Sequence, residues 1–207
     1  MDATQVAFQR FQRAARAGGL SLSAQQLGLL ARAAEWLAAL GHTSGVSGYE
    51  SVDLALIRAM GPALAYLQAD AAPRRGRLAD IGAGNGAIGA TIAILEQNLM
   101  VDLVDRAQRA YTACEILAAR LGIANLRAIR ADVRALRSGE YDGAVFRALA
   151  RGERALPLVR RVVRPAGFVG AFHRADDAAF GSAVTEIEPL GSWPTLVGGL
   201  VLTGYRI

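Results

Sequence analysis

The segment Leu78-Ala-Asp-Ile-Gly-Ala-Gly-Asn-Gly-Ala-Ile-Gly89 constrains the chain more than any other. A short apolar run ends in Asp80, and glycines follow at Gly82, Gly84 and Gly86. An Ala-rich apolar stretch from Ala87 to Leu95 then carries no strong breaker. This order predicts a strand, a tight turn and the start of a helix. It is the arrangement by which a doubly wound α/β domain holds a nucleotide-like ligand. Glycine suits the turn because the backbone must bend sharply and let ligand atoms approach it.

The spacing also selects among ligands. A dinucleotide fingerprint is G-x-G-x-x-G, with a helix N-terminus facing the pyrophosphate. Here the spacing is G-x-G-x-G, and Asp80 stands two residues before it. An acid there repels pyrophosphate and suits a cationic amino-acid moiety. S-adenosyl-L-methionine (SAM) carries both an ammonium and a sulfonium, so the charge pattern points to SAM. The second landmark is Leu99-Met-Val-Asp-Leu-Val-Asp105, a strand ending in an acid. In such folds that acid accepts hydrogen bonds from ribose hydroxyls. Asp105 also suits the N-cap of a helix starting near Arg106. Asp102, inside the strand, is not expected to reach ligand. Asp132, Val133 and Arg134 follow the third strand and are expected on the adenine side, where Asp132 suits the adenine amino group.

The rest of the chain fits around this centre. At 207 residues it is read as one domain with a helical extension, 1–70, before a SAM-binding domain, 71–207. Helical spacing predicts a helix from Thr4 to Gly18-Gly19, and a second one capped by Ser21 or Ser23 and ending at Gly41. A third helix is expected from Ser51 to Met60, with Pro62 at a break. From Arg77 strands and helices alternate, which implies a largely parallel sheet. Strands are expected at Asn125–Arg130, Tyr141–Phe146 and Phe168–Phe172, with helices at Arg106–Leu121 and Gly152–Val163. Val184–Pro189 and Val197–Tyr205 read as a closing pair.

Composition narrows the function. Hydrophobic residues make up 53% of the chain, enough for a sizeable core, and no apolar run is long enough to cross a bilayer. The N-terminus lacks the basic start and apolar core of a secretory signal, so the expected location is cytoplasmic. Cys114 is the single cysteine, which excludes an intrachain disulfide. No metal-ligand pattern is present. The formal net charge is +5, and every basic residue is arginine. Arginine forks match phosphate geometry, which favours a nucleic-acid partner.

Further segments make the resemblance specific. Asp80-Ile-Gly-Ala-Gly-Asn-Gly86, Leu103-Val-Asp105 and Tyr141-Asp-Gly-Ala-Val-Phe-Arg-Ala-Leu-Ala150 together resemble the bacterial ribosomal RNA small-subunit methyltransferase G family, of the GidB type. The resemblance implies a class I SAM-dependent methyltransferase fold, α/β with a Rossmann-like doubly wound, mostly parallel sheet. It implies methylation of a guanine N7 in 16S rRNA, with the small ribosomal subunit as partner. It places SAM contacts on Gly82, Ala87, Val133, Arg134 and Arg147, and makes Arg147 the catalytic residue. The chain departs from the family where Asn85, Ile88 and Thr91 replace loop prolines and where Arg134 replaces an acid. Gly41-His-Thr-Ser-Gly45 likewise replaces an Asn-Leu-Thr motif. These departures keep two other readings open: a small-molecule methyltransferase and a SAM-binding partner without catalysis. A basic patch of Arg10, Arg13, Arg16, Arg58, Arg147 and Arg151 favours RNA, whereas a closed apolar pocket favours a small molecule. Arg147 is expected at the crevice, with an ion pair to Asp80 or Asp142 as its structural alternative. His42 and His173 are expected in loops, without catalytic roles, because N7 alkylation needs no general base.

Overall fold

The computed structural model describes residues 2–40, 48–149, 152–177 and 187–207. Helix α1 (Ala3–Ala17) starts at Asp2, whose carboxylate accepts the Gln5 N–H while the Gln5 side chain accepts the Asp2 N–H. This capping box satisfies two otherwise orphaned donors. Helix α2 (Ala24–Leu40) begins the same way, with Ser23 and Gln26 exchanging bonds of 3.2 and 2.9 Å. Buried Gln26 also donates to the carbonyls of Ile94 and Leu95. It thereby caps the C-terminus of another helix across the core, where backbone acceptors lack partners of their own.

The expected third helix takes a different form. A single α-turn, α3 (Val52–Leu54), passes into a π-helix, Ala55–Met60, and then a 3-10 helix, Gly61–Gln68. Pro62 stands where the register changes. It has no N–H to give and its ring clashes with the carbonyl four residues back. The chain widens before it, and the Gly61 N–H bonds Leu56 O, five residues back.

The sheet has seven strands in the order β3-β2-β1-β4-β5-β7-β6. They are β1 (Gly76–Ile81), β2 (Leu99–Asp105), β3 (Leu126–Arg130), β4 (Tyr141–Arg147), β5 (Val163–Arg174), β6 (Glu188–Pro194) and β7 (Leu200–Arg206). β1 to β5 run parallel, and β7 is antiparallel to both β5 and β6. The strand order reverses between β1 and β4, so a crevice opens at the carboxyl ends of those strands, the place where such folds bind ligands. β5 is longer than expected, and β6 is displaced from the expected Val184–Pro189, part of which lies outside the described residues. β6 contains Pro189, Gly191 and Pro194, which disguise a strand in sequence but are tolerated at a sheet edge.

The faces are unequally covered. Helices α1, α2, α4 (Ala87–Leu95) and α5 (Gln108–Leu121), with the π and 3-10 segments, share one apolar core with Leu78, Val101, Leu103 and Val145. On the opposite face α6 (Gly152–Val162) packs Ala155, Leu156 and Val159 with Val104, Phe146 and Val169. The β3-to-β4 crossover contributes only a 3-10 turn, Val133–Ala135. Asp102 on β2 is nevertheless fully buried, because Arg77, Arg127 and Tyr141 all donate to its carboxylate. A charged cluster therefore stands over part of the sheet that α6 does not reach.

Candidate active site

The turn after β1 is built from left-handed backbone. Gly82, Gly84 and Gly86 have φ of +72°, +61° and +77°, a region that strains any residue with a Cβ. Space adds a second constraint at two nearby positions. A Cβ on Gly86 would lie 3.0 Å from Leu103 Cδ1, and one on Gly89 would lie 2.4 Å from Leu103 Cδ2. Gly89 therefore lets α4 lie close to β1 and β2. Gly84 differs, because a Cβ there would meet nothing closer than the Gly82 carbonyl at 4.0 Å. Its exposed side faces the crevice, as close approach of a ligand to backbone requires.

Asp80 lies beneath this turn, 3% exposed, and its Oδ2 accepts the Gly89 N–H at 2.8 Å. Burial pushes its carboxyl up to about 7, opposed by that N–H and by the Arg147 charge. Asp105, at the end of β2, accepts the N–H of Gly84 at 3.0 Å through Oδ2 and that of Ala107 at 2.9 Å through Oδ1. It braces the glycine turn and leaves lone pairs toward the crevice. It is not the N-cap expected from the sequence: α5 starts at Gln108 with Ala107 as cap, and Asp105 forms the preceding Asx turn. Asp132 caps the 3-10 turn by accepting the Arg134 N–H, and this bond, with Arg134 and Arg106 nearby, holds its carboxyl below the usual range.

Three connected hollows lie along the carboxyl ends of the strands. The first, of about 360 Å³, is lined by Gly82, Asp105, Arg106, Asp132, Val133 and Arg134 among others. The second, of about 250 Å³, is lined by Asp80, Gly82, Gly84, Ala87 and Arg147, with Tyr49 and Ala59 from the N-terminal segment. The third, of about 500 Å³, lies between Tyr49, Arg58, Arg147, Phe172 and Arg174. Ala148 borders all three. Its φ is +54°, an uncommon conformation for a residue with a side chain. The next residue, Leu149, covers Gly82 so closely that a Cβ there would stand 2.7 Å from Leu149 Cδ1. The Arg147-Ala148-Leu149 turn is thus folded over the glycine loop.

The structure brings Asp80, Gly82, Gly84, Ala87, Asp105, Asp132, Val133, Arg134 and Arg147 to the first two hollows. Gly86 stands behind them, packed on Leu103 and Cys114. Cys114 is buried, and burial raises its thiol pKa. The ion pair considered for Arg147 is not found. Asp142 instead pairs with Arg164 at 2.8 Å and accepts the Arg77 N–H, while Asp80 is held by Gly89. His173 is not in a loop but in β5, its ring nitrogens each 2.8 Å from Arg174 O and Thr203 Oγ1, which occupies both. His42 and Arg151 lie outside the described residues. Arg10, Arg13 and Arg16 are exposed on α1, but only Arg58 and Arg147 of the expected patch line the hollows.

Sequence reasoning missed Tyr49, Ala148 and Leu149. Tyr49 sits outside any motif, and a left-handed alanine leaves no signal in sequence. Arg58 is expected in the basic patch that favours RNA, but the π turn that presents it cannot be read from the sequence.

The profile of the GidB family, rRNA small subunit methyltransferase G, matches residues 63–179. A ribosomal RNA small subunit methyltransferase G from Sorangium cellulosum is 38% identical over 97 residues, 45% of this chain and 41% of that protein. The corresponding protein of Bordetella avium is 26% identical over 165 residues, 78% of this chain and 74% of that protein. The match thus spans less than half of the first relative. Among solved structures, a SAM-dependent methyltransferase from Aquifex aeolicus superposes with a TM-score of 0.57 at 13% identity, covering 73% of this chain and 92% of that one. TrmN from Thermus thermophilus gives 0.56 at 19% identity, covering 70% and 47%. At such identities the likeness concerns the fold, which is that of the class I SAM-dependent methyltransferases. With its sheet order, its glycine turn and a profile match over more than half of its length, this chain belongs to the rRNA small subunit methyltransferase G (GidB) family.

Proposed function

We propose that the chain is a SAM-dependent methyltransferase that methylates a guanine N7 in the RNA of the small ribosomal subunit. The observation that carries this reading is the row of adjoining hollows, with Asp132 and Asp105 lining the first and Asp80 the second. Asp132 suits the adenine amino group, Asp105 the ribose hydroxyls, and Asp80 the ammonium. The open side of Gly84 supports the same fit, because backbone there is free for close approach. When bound, SAM supplies an electrophilic methyl group on its sulfonium. The name shared by the family and its relatives supports the rRNA acceptor. The third hollow also favours it over a closed apolar pocket, since Arg58, Arg147 and Arg174 border it. The cytoplasm is the compartment this reading implies. Among the described residues no helix is long and apolar enough to cross a membrane.

The chemistry asks little of the side chains. Guanine N7 presents a lone pair and no proton, so no base has to remove one. The chain's task is to hold acceptor and donor in line and to exclude water, which is catalysis by proximity and orientation. Arg147 stands where the second and third hollows meet and is suited to hold the acceptor base by its carbonyl oxygen. The test has two parts. Calorimetry with S-adenosylhomocysteine reports the cofactor site, and mass mapping of rRNA from a strain lacking the gene reports the acceptor. Absence of binding, or rRNA with an unchanged methylation pattern, contradicts the proposal.

A further inference from the structure

We infer that the third hollow holds a single unstacked nucleotide of the RNA, with Tyr49 as the stacking surface for its base and Arg58 as the contact for its phosphate. This rests on the rRNA reading and assigns roles to two residues outside the glycine turn and the strand-end acids. Tyr49 is half-buried and borders both the second and third hollows, so its ring stands at the neck through which a base would approach the methyl donor. Arg147 lines the same neck. Guanine N7 lies on the major-groove edge, and in A-form RNA that groove is deep and narrow, so a base turned out of its helix presents N7 to the enzyme, and aromatic side chains commonly receive such bases. A volume of about 500 Å³ accommodates a nucleotide.

The charges are arranged for a phosphate. Arg58 is exposed on the π turn before Pro62, and such turns recur at functional sites. Neither Arg58 nor Arg147 takes part in any ion pair formed among the described residues. Arg174, which also lines the hollow, is held by Asp176 through two bonds of 3.0 Å, and Asp177 is a second acid in the lining. Of the three arginines, Arg58 is the exposed one outside every ion pair formed among the described residues, which suits it to a phosphate. Arg58 lines only the third hollow, whereas Tyr49 lines two, so the two side chains can be tested separately.

The experiment measures binding of a fluorescent single-stranded oligoribonucleotide containing one guanine, to the full chain saturated with S-adenosylhomocysteine. Methyl transfer to rRNA is measured in parallel. Arg58→Ala should weaken RNA binding about fivefold or more and lower the salt dependence by about one ion. Its affinity for S-adenosylhomocysteine and its melting temperature should match the wild type. Tyr49→Ala should weaken RNA binding about tenfold, and Tyr49→Phe should restore it, because the ring is what stacks. If the wild type methylates rRNA but both alanine variants bind RNA unchanged, the nucleotide site is wrong and the rRNA reading stands. If the wild type binds S-adenosylhomocysteine yet methylates no rRNA, the rRNA reading fails and the nucleotide site fails with it.

Discussion

At the residue scale, Asp80 couples the site to pH. Burial pushes its carboxyl up to about 7, from an ordinary value of 3.8. Between those values the folded chain holds a proton that unfolding releases. Stability is thus greatest below about pH 4 and falls as pH rises toward 7, by up to about 4 kcal/mol from this residue. Asp80→Asn should flatten that part of the pH–stability curve, which chemical denaturation at pH 5 and pH 8 will show. A bound ammonium favours the ionised carboxylate, so S-adenosylhomocysteine should bind more tightly at pH 8 than at pH 6, and Asp80→Asn should remove the difference. Asp105→Ala should cost about 1–3 kcal/mol of S-adenosylhomocysteine affinity, read by calorimetry, because hydroxyls and the Gly84 N–H lose their acceptor. Arg147→Ala should lower methyl transfer by a factor of about 100 or more. Its melting temperature should move by less than about 2 °C, since no ion pair among the described residues depends on it. A large melting loss in cofactor-free protein would assign Arg147 to the fold rather than the site.

At the scale of elements, the glycine turn and α4 act as one unit, and Gly89 is its tightest point. Gly89→Ala forces a methyl against Leu103 Cδ2 and Asp80 Cβ, at 2.4 and 2.9 Å. It should destabilise the chain by about 1–3 kcal/mol and weaken S-adenosylhomocysteine binding as Asp80 shifts, read by melting and calorimetry on one sample. This unit was legible in sequence because its determinants are local: alternating glycines, an acid just before them, and an unbroken apolar helix after them. The π turn was not, because Pro62 announces only a break, and the register on its N-terminal side is decided by packing. β6 was misplaced for a related reason, since its prolines and glycine are permitted only by an edge position that the sequence does not state. Of the site, the acids and glycines could be read and the walls could not. Tyr49 and Leu149 reach the crevice through a tertiary arrangement that joins the N-terminal helices, β1 and the end of β4.

On the scale of the whole molecule, the two ends of the parallel strands have different work. The carboxyl ends carry the crevice. Toward the amino ends, Arg77 from β1, Arg127 from β3 and Tyr141 from β4 converge on Asp102 in β2, tying four strands together. Two arginines balance the buried carboxylate, and their partial exposure lets water share the cost of the charges. Asp102→Ala should therefore destabilise the fold by about 3–5 kcal/mol, as loss of a buried ionic partner does. The N-terminal segment completes the core against α4 and supplies Tyr49 and Arg58 to the crevice. The most direct measurement of the central claim incubates the purified chain with methyl-labelled SAM and small ribosomal subunits, then maps the label by nuclease digestion and mass spectrometry. The account predicts labelled 7-methylguanosine at one rRNA position, absent with Arg147→Ala; label on another base or atom, or none on RNA, would contradict it.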